Sequence, residues 1–219
     1  MIKTDSELKQ DIETELRWDP KVNAAQIGVS VDKGVVTLLG VVDTHGQRKA
    51  AEEATRRVHG VRSMAQNLTV KILEEHARTD PEIAVAVQSA LAWDVFIPKT
   101  ILATVEKGTV TLGGKARWNY ERDAAEQAVR NLMGVVAVHN DVALKPETSS
   151  PELKHKVETA LLRQAIADSK SIVITTDGSQ VTLTGRASSW HATEDAVNAA
   201  WSAPGVTHVV NQVQVVPTP

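Results

Sequence analysis

Chemistry in this chain would have to come from its seven histidines and its carboxylates, because there is no cysteine. A missing thiol removes cysteine nucleophiles, disulfides, zinc ribbons and iron–sulfur clusters. His45, His59, His76, His139, His155, His191 and His208 show no ligand spacing such as H-E-x-x-H, and they do not recur at matching places in the repeats described below. They read as surface or capping histidines, with no metal site and no cofactor. No G-x-x-x-x-G-K-[ST] or G-x-G-x-x-G occurs, so nucleotide binding has no support. No serine sits in a nucleophile elbow and no carboxylate pair recurs, so the chain is not expected to be an enzyme. Glu52, Glu53, Arg56 and Arg57 have the i, i+4 spacing of a solvated, internally paired helix face.

The tryptophans remain. Aromatic residues make up only 3% of the chain, and five of them are Trp against one Phe and one Tyr. Trp18 and Trp93 close equivalent segments, with Phe96 and Lys99 just beyond Trp93. A Trp in that place either covers a sheet edge or sits at a lipid interface, where an apolar ring with a polar N–H is favoured. Trp190 and Trp201 share a helix face with Val197 if one helix holds both, because their separation returns to within roughly 20° of the same direction. That face is off the core stripe and is expected to meet another domain or subunit. The alternative is that Trp190 precedes the helix and tucks under a loop.

Bulk properties narrow the partners. Lys and Arg total 24 against 27 acids, a net charge of −3, so no cationic field exists to collect a nucleic acid backbone. No stretch approaches the roughly 20 apolar residues of a transmembrane span, and the first residues lack a signal-peptide core. The expected location is cytoplasmic, or periplasmic only where an export signal has been removed. With 42% hydrophobic and 23% charged residues, a packed globular core is expected.

What positions these residues is a threefold repeat. Leu8, Ile12, Leu16, then Ile83, Val87, Leu91, then Leu153, Val157, Leu161 each make one apolar helical stripe. Thr4, Thr79 and Ser149 stand three residues before Glu7, Glu82 and Glu152, as in a capping box, while Asp80-Pro81 and Ser150-Pro151 suit an N-cap followed by proline. The period then becomes two around a glycine turn, predicting β-hairpins that end in Val-Thr-Leu-x-Gly; the third copy is read with one extra residue at its turn. Alanine-striped helices follow over 47–59, 121–133 and 192–203, then Gly60, Gly134 and Gly205 as C-caps and a last strand. The fold class is α+β: three tandem αββαβ domains over 1–73, 78–146 and 149–217, each a three-stranded sheet with two helices on one face.

Val-Thr-Leu-x-Gly, the alanine-rich helix, and Gly-Val followed by Gln66, Asn140 or Asn211 before the last strand resemble the BON domain family of bacterial osmotically inducible and nodulation proteins. Three copies cover nearly the whole chain. The resemblance implies the αββαβ fold, association with osmotic or envelope stress, and binding of anionic phospholipid. Lipid contact carried over from the family falls on Trp93 and Trp18. No unit holds more basic than acidic residues, so such binding is expected to be weak. The other expectation, from a different class, is a soluble scaffold that binds a protein partner or itself.

Overall fold

A computed structural model describes residues 3–145, 153, 155, 157–159 and 171–216. The first unit runs α1 (Asp5–Trp18), β1 (Ile27–Asp32), β2 (Val35–Val42), α2 (His45–Arg57) and β3 (Ser63–Val70). The second repeats it as α3 (Asp80–Trp93), β4 (Ile101–Glu106), β5 (Thr109–Ala116), α4 (Asn119–Val129), and a last strand broken into β6 (Ala137–Asn140) and β7 (Ala143–Leu144). In the third, Leu153, His155 and residues 157–159 are helical. They are followed by β8 (Ile172–Asp177), β9 (Gln180–Ala187), α5 (Trp190–Trp201) and β10 (His208–Val215). Each sheet joins an antiparallel hairpin to a parallel last strand, so the second helix is the crossover.

The stripes point inward. Leu8, Ile12, Leu16, Ile83, Val87, Leu153 and Val157 are buried and Leu91 is half-buried; Leu161 and the caps at Ser149 and Ser150 lie outside the described residues. Against them pack Val36 and Leu38, Val110 and Leu112, Val181 and Leu183 from the middle strands. Alanines 51 and 54, 125, and 196, 199 and 200 let each second helix lie close on its sheet.

Local chemistry sets the helix starts. Thr4 N donates to Glu7 Oε2 at 2.8 Å and Thr79 N to Glu82 Oε2 at 2.8 Å, and these bonds hold both glutamates below the usual carboxylate range. Thr79 is therefore the N-cap, and Asp80 is the first helical residue. Its carboxylate accepts from the Lys107 and Gly108 amides at 2.7 and 2.8 Å, as Asp5 does from Lys33 and Gly34 at 2.7 and 3.0 Å. In the first two units one aspartate thus pins the hairpin turn to the start of the preceding helix. The second helices begin two residues earlier than their sequence suggests. Thr44 and Ser189 cap them through side-chain oxygens that accept from Gln47 N and Ala192 N at 3.1 Å.

The third hairpin has no extra residue. Ile27 faces Gly40, Ile101 faces Gly114 and Ile172 faces Gly185, so all three loops hold two residues, Lys33-Gly34, Lys107-Gly108 and Gly178-Ser179. What differs is where the glycine sits. Lys33 and Lys107 adopt φ of 50° and 48° before their glycines, whereas in the third loop Gly178 comes first, at φ 56°.

The glycine ending Val-Thr-Leu-x-Gly is a backbone requirement. Gly114 has φ +103°, and a Cβ there would stand 2.1 Å from the carbonyl oxygen of Thr100. Gly40 and Gly185 face Gln26 and Ser171 in the same way, at 2.0 and 2.1 Å. Gly114→Ala is expected to destabilise by more than ~2 kcal/mol, through both strain and collision. Chemical denaturation checks this, and a change within ~0.5 kcal/mol would show that strand β4 can retreat from the glycine.

Candidate functional site

Trp93 is 89% exposed and Trp18 is 84% exposed, so neither ring covers a sheet edge. The second unit also exposes Val85, Val95, Phe96 and Leu102, with Phe96 edge-on to Tyr120 at 6.1 Å. Asp94 Oδ1 accepts from Phe96 N at 2.8 Å and holds the loop in a turn that projects Val95 and Phe96 outward. An open groove of about 820 Å³ runs between α3 and β4, lined by Val87, Leu91, Val95, Ile97, Lys99 and Leu102; Trp93 and Phe96 do not line it.

Sequence explains why the second unit carries this groove. In the first unit the loop from Asp19 to Ile27 includes a 3-10 turn, Ala24–Gln26, and packs Val22 and Ala24 onto the core. The matching loop from Asp94 to Ile101 is one residue shorter and supplies Ile97 alone. Around α3 the apolar residues also spread beyond one stripe, which exposes Val85.

Trp190, Val197 and Trp201 all lie on α5 and are half-buried. Val197 and Trp201 pack partly on the third unit's own core. The outer ring faces are met by arginines of the other units, Arg56 at 5.3 Å from the Trp190 ring centre and Arg122 at 5.0 Å from that of Trp201. The charged group on α2 is therefore more than a solvated face. Arg56 pairs with Glu52 on its own helix and reaches Glu194 of the third unit at 3.0 Å, while Glu53 reaches Arg130 of the second at 3.4 Å. Arg57 turns back to Glu15 and Asp19 at 2.9 Å, tying α2 to α1 and holding the Asp19 carboxyl low.

These contacts close a cycle. The start of α2 meets the end of α4 through Gly46 and Asn131, the first turn of α4 meets the end of α5 through Arg122 and Trp201, and the start of α5 meets the end of α2 through Trp190 and Arg56. Buried polar groups mark two of the three joints. His45, first residue of α2, is 1% exposed, and Asn119, first residue of α4, is 9% exposed. Asn119 Nδ2 donates to Asp123 at 2.6 Å, and desolvation raises the Asp123 carboxyl above its ordinary value. Between the first and third units, Lys3, Asp5 and Leu8 share an open cavity of about 370 Å³ with Val215 and Val216. Sequence reasoning missed this cycle, because four of its participants, His45, Asn119, Arg56 and Arg130, are polar residues with the appearance of solvated helix surface. Among the described residues no helix is long and apolar enough to cross a membrane, and no group of three or more His, Asp or Glu could hold a metal ion.

The profile described as BON domain matches residues 4–72, 79–146 and 149–217. Osmotically-inducible protein Y of Escherichia coli (strain K12) is 26% identical over 146 residues, which cover 64% of this chain and 73% of that protein. Two structures of CdsD, a structural protein of the type III secretion system of Chlamydia trachomatis, align over 97% and 98% of the chain at 15% identity. Their TM-scores are 0.25 and 0.26. With three matches that together span most of its length, each on an αββαβ unit, the chain belongs to the BON domain family.

Proposed function

We propose that this is a non-enzymatic, stress-associated binding protein whose second unit contacts anionic phospholipid or another envelope component. The observation that carries this reading is the exposure of Trp93, Val95, Phe96 and Leu102 on one unit, which also holds a groove lined by Val95, Leu102 and Lys99. Large apolar side chains are costly to keep wet, and an exposed Trp with a cation in the loop that follows its helix suits the boundary between headgroup and acyl chain. Trp18 offers a second, weaker contact, since the first unit's groove is filled by its own loop. The stress association rests on the similarity to an osmotically inducible protein.

The scaffold reading is supported by a different observation, the arginines stacked on Trp190 and Trp201. On this reading the third unit's face holds the other two units in place and thereby sets how the second unit's surface is presented.

Co-sedimentation with vesicles tests the first reading. Trp93→Ala is expected to cut binding to anionic vesicles several-fold and to change stability by no more than ~0.5 kcal/mol, as befits an exposed side chain. Equal binding to neutral and anionic vesicles, or none to either, would leave protein contact as the better account. For the scaffold reading, a double-mutant cycle on Arg122→Ala and Trp201→Ala is expected to give a coupling of about 0.5–1 kcal/mol. A coupling of zero would mean that this joint is not formed in solution.

A further inference from the structure

We propose that the joint between the first and second units is an acid-sensitive latch, closed while His45 is neutral and opened when a proton on its ring parts the start of α2 from the end of α4. His45 opens its helix, and the second unit stands against it, with the Val136 backbone and Arg130 acting on its ring. Here it is 1% exposed. Gly46 beside it comes so close to the second unit that a Cβ would stand 2.3 Å from Asn131 Oδ1.

The surroundings admit only the neutral ring. Arg48 Nη2 lies 2.8 Å from His45 Nδ1, and a guanidinium can only donate, so Nδ1 accepts and the single proton is on Nε2. Nε2 is buried and makes no hydrogen bond within ordinary limits; the backbone of Val136, in the loop after α4, is the one neighbour that favours a charged ring. A second proton has to go onto Nδ1 and displace Arg48. The charged groups acting on the ring are Arg48 and Lys49 of α2 and Arg130 just past the end of α4, all cations. The nearby carboxylates are already engaged, Glu52 with Lys49 and Arg56, and Glu53 with Arg130. Burial first, and then these cations, push His45 from its usual 6.5 down to about 4.

The sign follows. With the joint open the ring is solvated and titrates near its usual value, so between 6.5 and about 4 the open form binds the extra proton and the closed form does not. Stability of the joint is complete above 6.5 and is lost as pH falls, by about tenfold in the opening equilibrium per pH unit. The other two joints have no histidine in this place, where Asn119 and Trp190 stand. Acid therefore opens one joint of the cycle while the αββαβ units stay folded.

Hydrogen exchange on the full chain, corrected for the intrinsic effect of pH, reads this out. Protection of the amides over 45–49 and 130–136 is expected to fall about thirtyfold between ~pH 7.5 and ~pH 5, with the sheet amides unchanged. His45→Gln, which keeps an N–H but cannot titrate, is expected to show the same protection at both pH values. Unchanged protection in the natural chain, or an equal fall in His45→Gln, would overturn the proposal. Since the chain has no cysteine, a Gly46→Cys, Asn131→Cys pair provides a second test that does not alter His45. When oxidised it should abolish the acid effect, and when reduced it should restore it. Acid opening that survives the disulfide would place the transition elsewhere and refute the latch.

Discussion

Every unit depends on one close approach of backbone to backbone. The carbonyl just ahead of the first strand, from Gln26, Thr100 or Ser171, occupies the place where a side chain would be on Gly40, Gly114 or Gly185. That approach fixes the hairpin register, and register decides which side chains of a strand face the core, since a slip of one residue turns them all over. With Val36 and Leu38 or their counterparts turned inward, the sheet offers one apolar face, and the two helices can only pack there. The alanine stripe of the second helix then lets that helix settle close against the sheet.

Within a unit, the fold was legible because each determinant is local and threefold repeated. The stripe at Leu8, Ile12 and Leu16, the Thr4–Glu7 cap and the glycine turn all act over a few residues, and three copies in phase separate signal from accident. Where the reading slipped, the competing contacts were distant in sequence or fine in register. Asp80 looked like a cap by residue type, but its carboxylate is taken by the hairpin at Lys107 and Gly108. The third hairpin seemed longer because its glycine occupies the first loop position, which shifts a glycine-to-glycine alignment without changing the strand register.

The candidate sites were legible to different degrees, for the same reason. Trp93 and Phe96 stand out by type, yet the groove in the same unit arises from a loop one residue shorter than its counterpart, which only comparison of the units exposes. The joints between units were hidden because they are made of arginine, glutamate, asparagine and histidine, residues that look like ordinary solvated helix surface. Arg56 and Arg57 are adjacent in sequence and have opposite duties, one reaching the third unit and the other holding α1. Polar joints of this kind add less stability than apolar ones and more specificity of pairing.

Each second helix meets the next one start to end, a heterologous contact, and such contacts either run on as a filament or close into a ring. Three of them close here within a single chain. The cavity shared by Lys3, Asp5, Val215 and Val216 is where the circle is completed, and it sets the two ends of the described chain side by side. The circle therefore has no privileged first unit. A chain joined across that cavity and cut instead between the first and second units, or between the second and third, would keep the same neighbours in the same cyclic order.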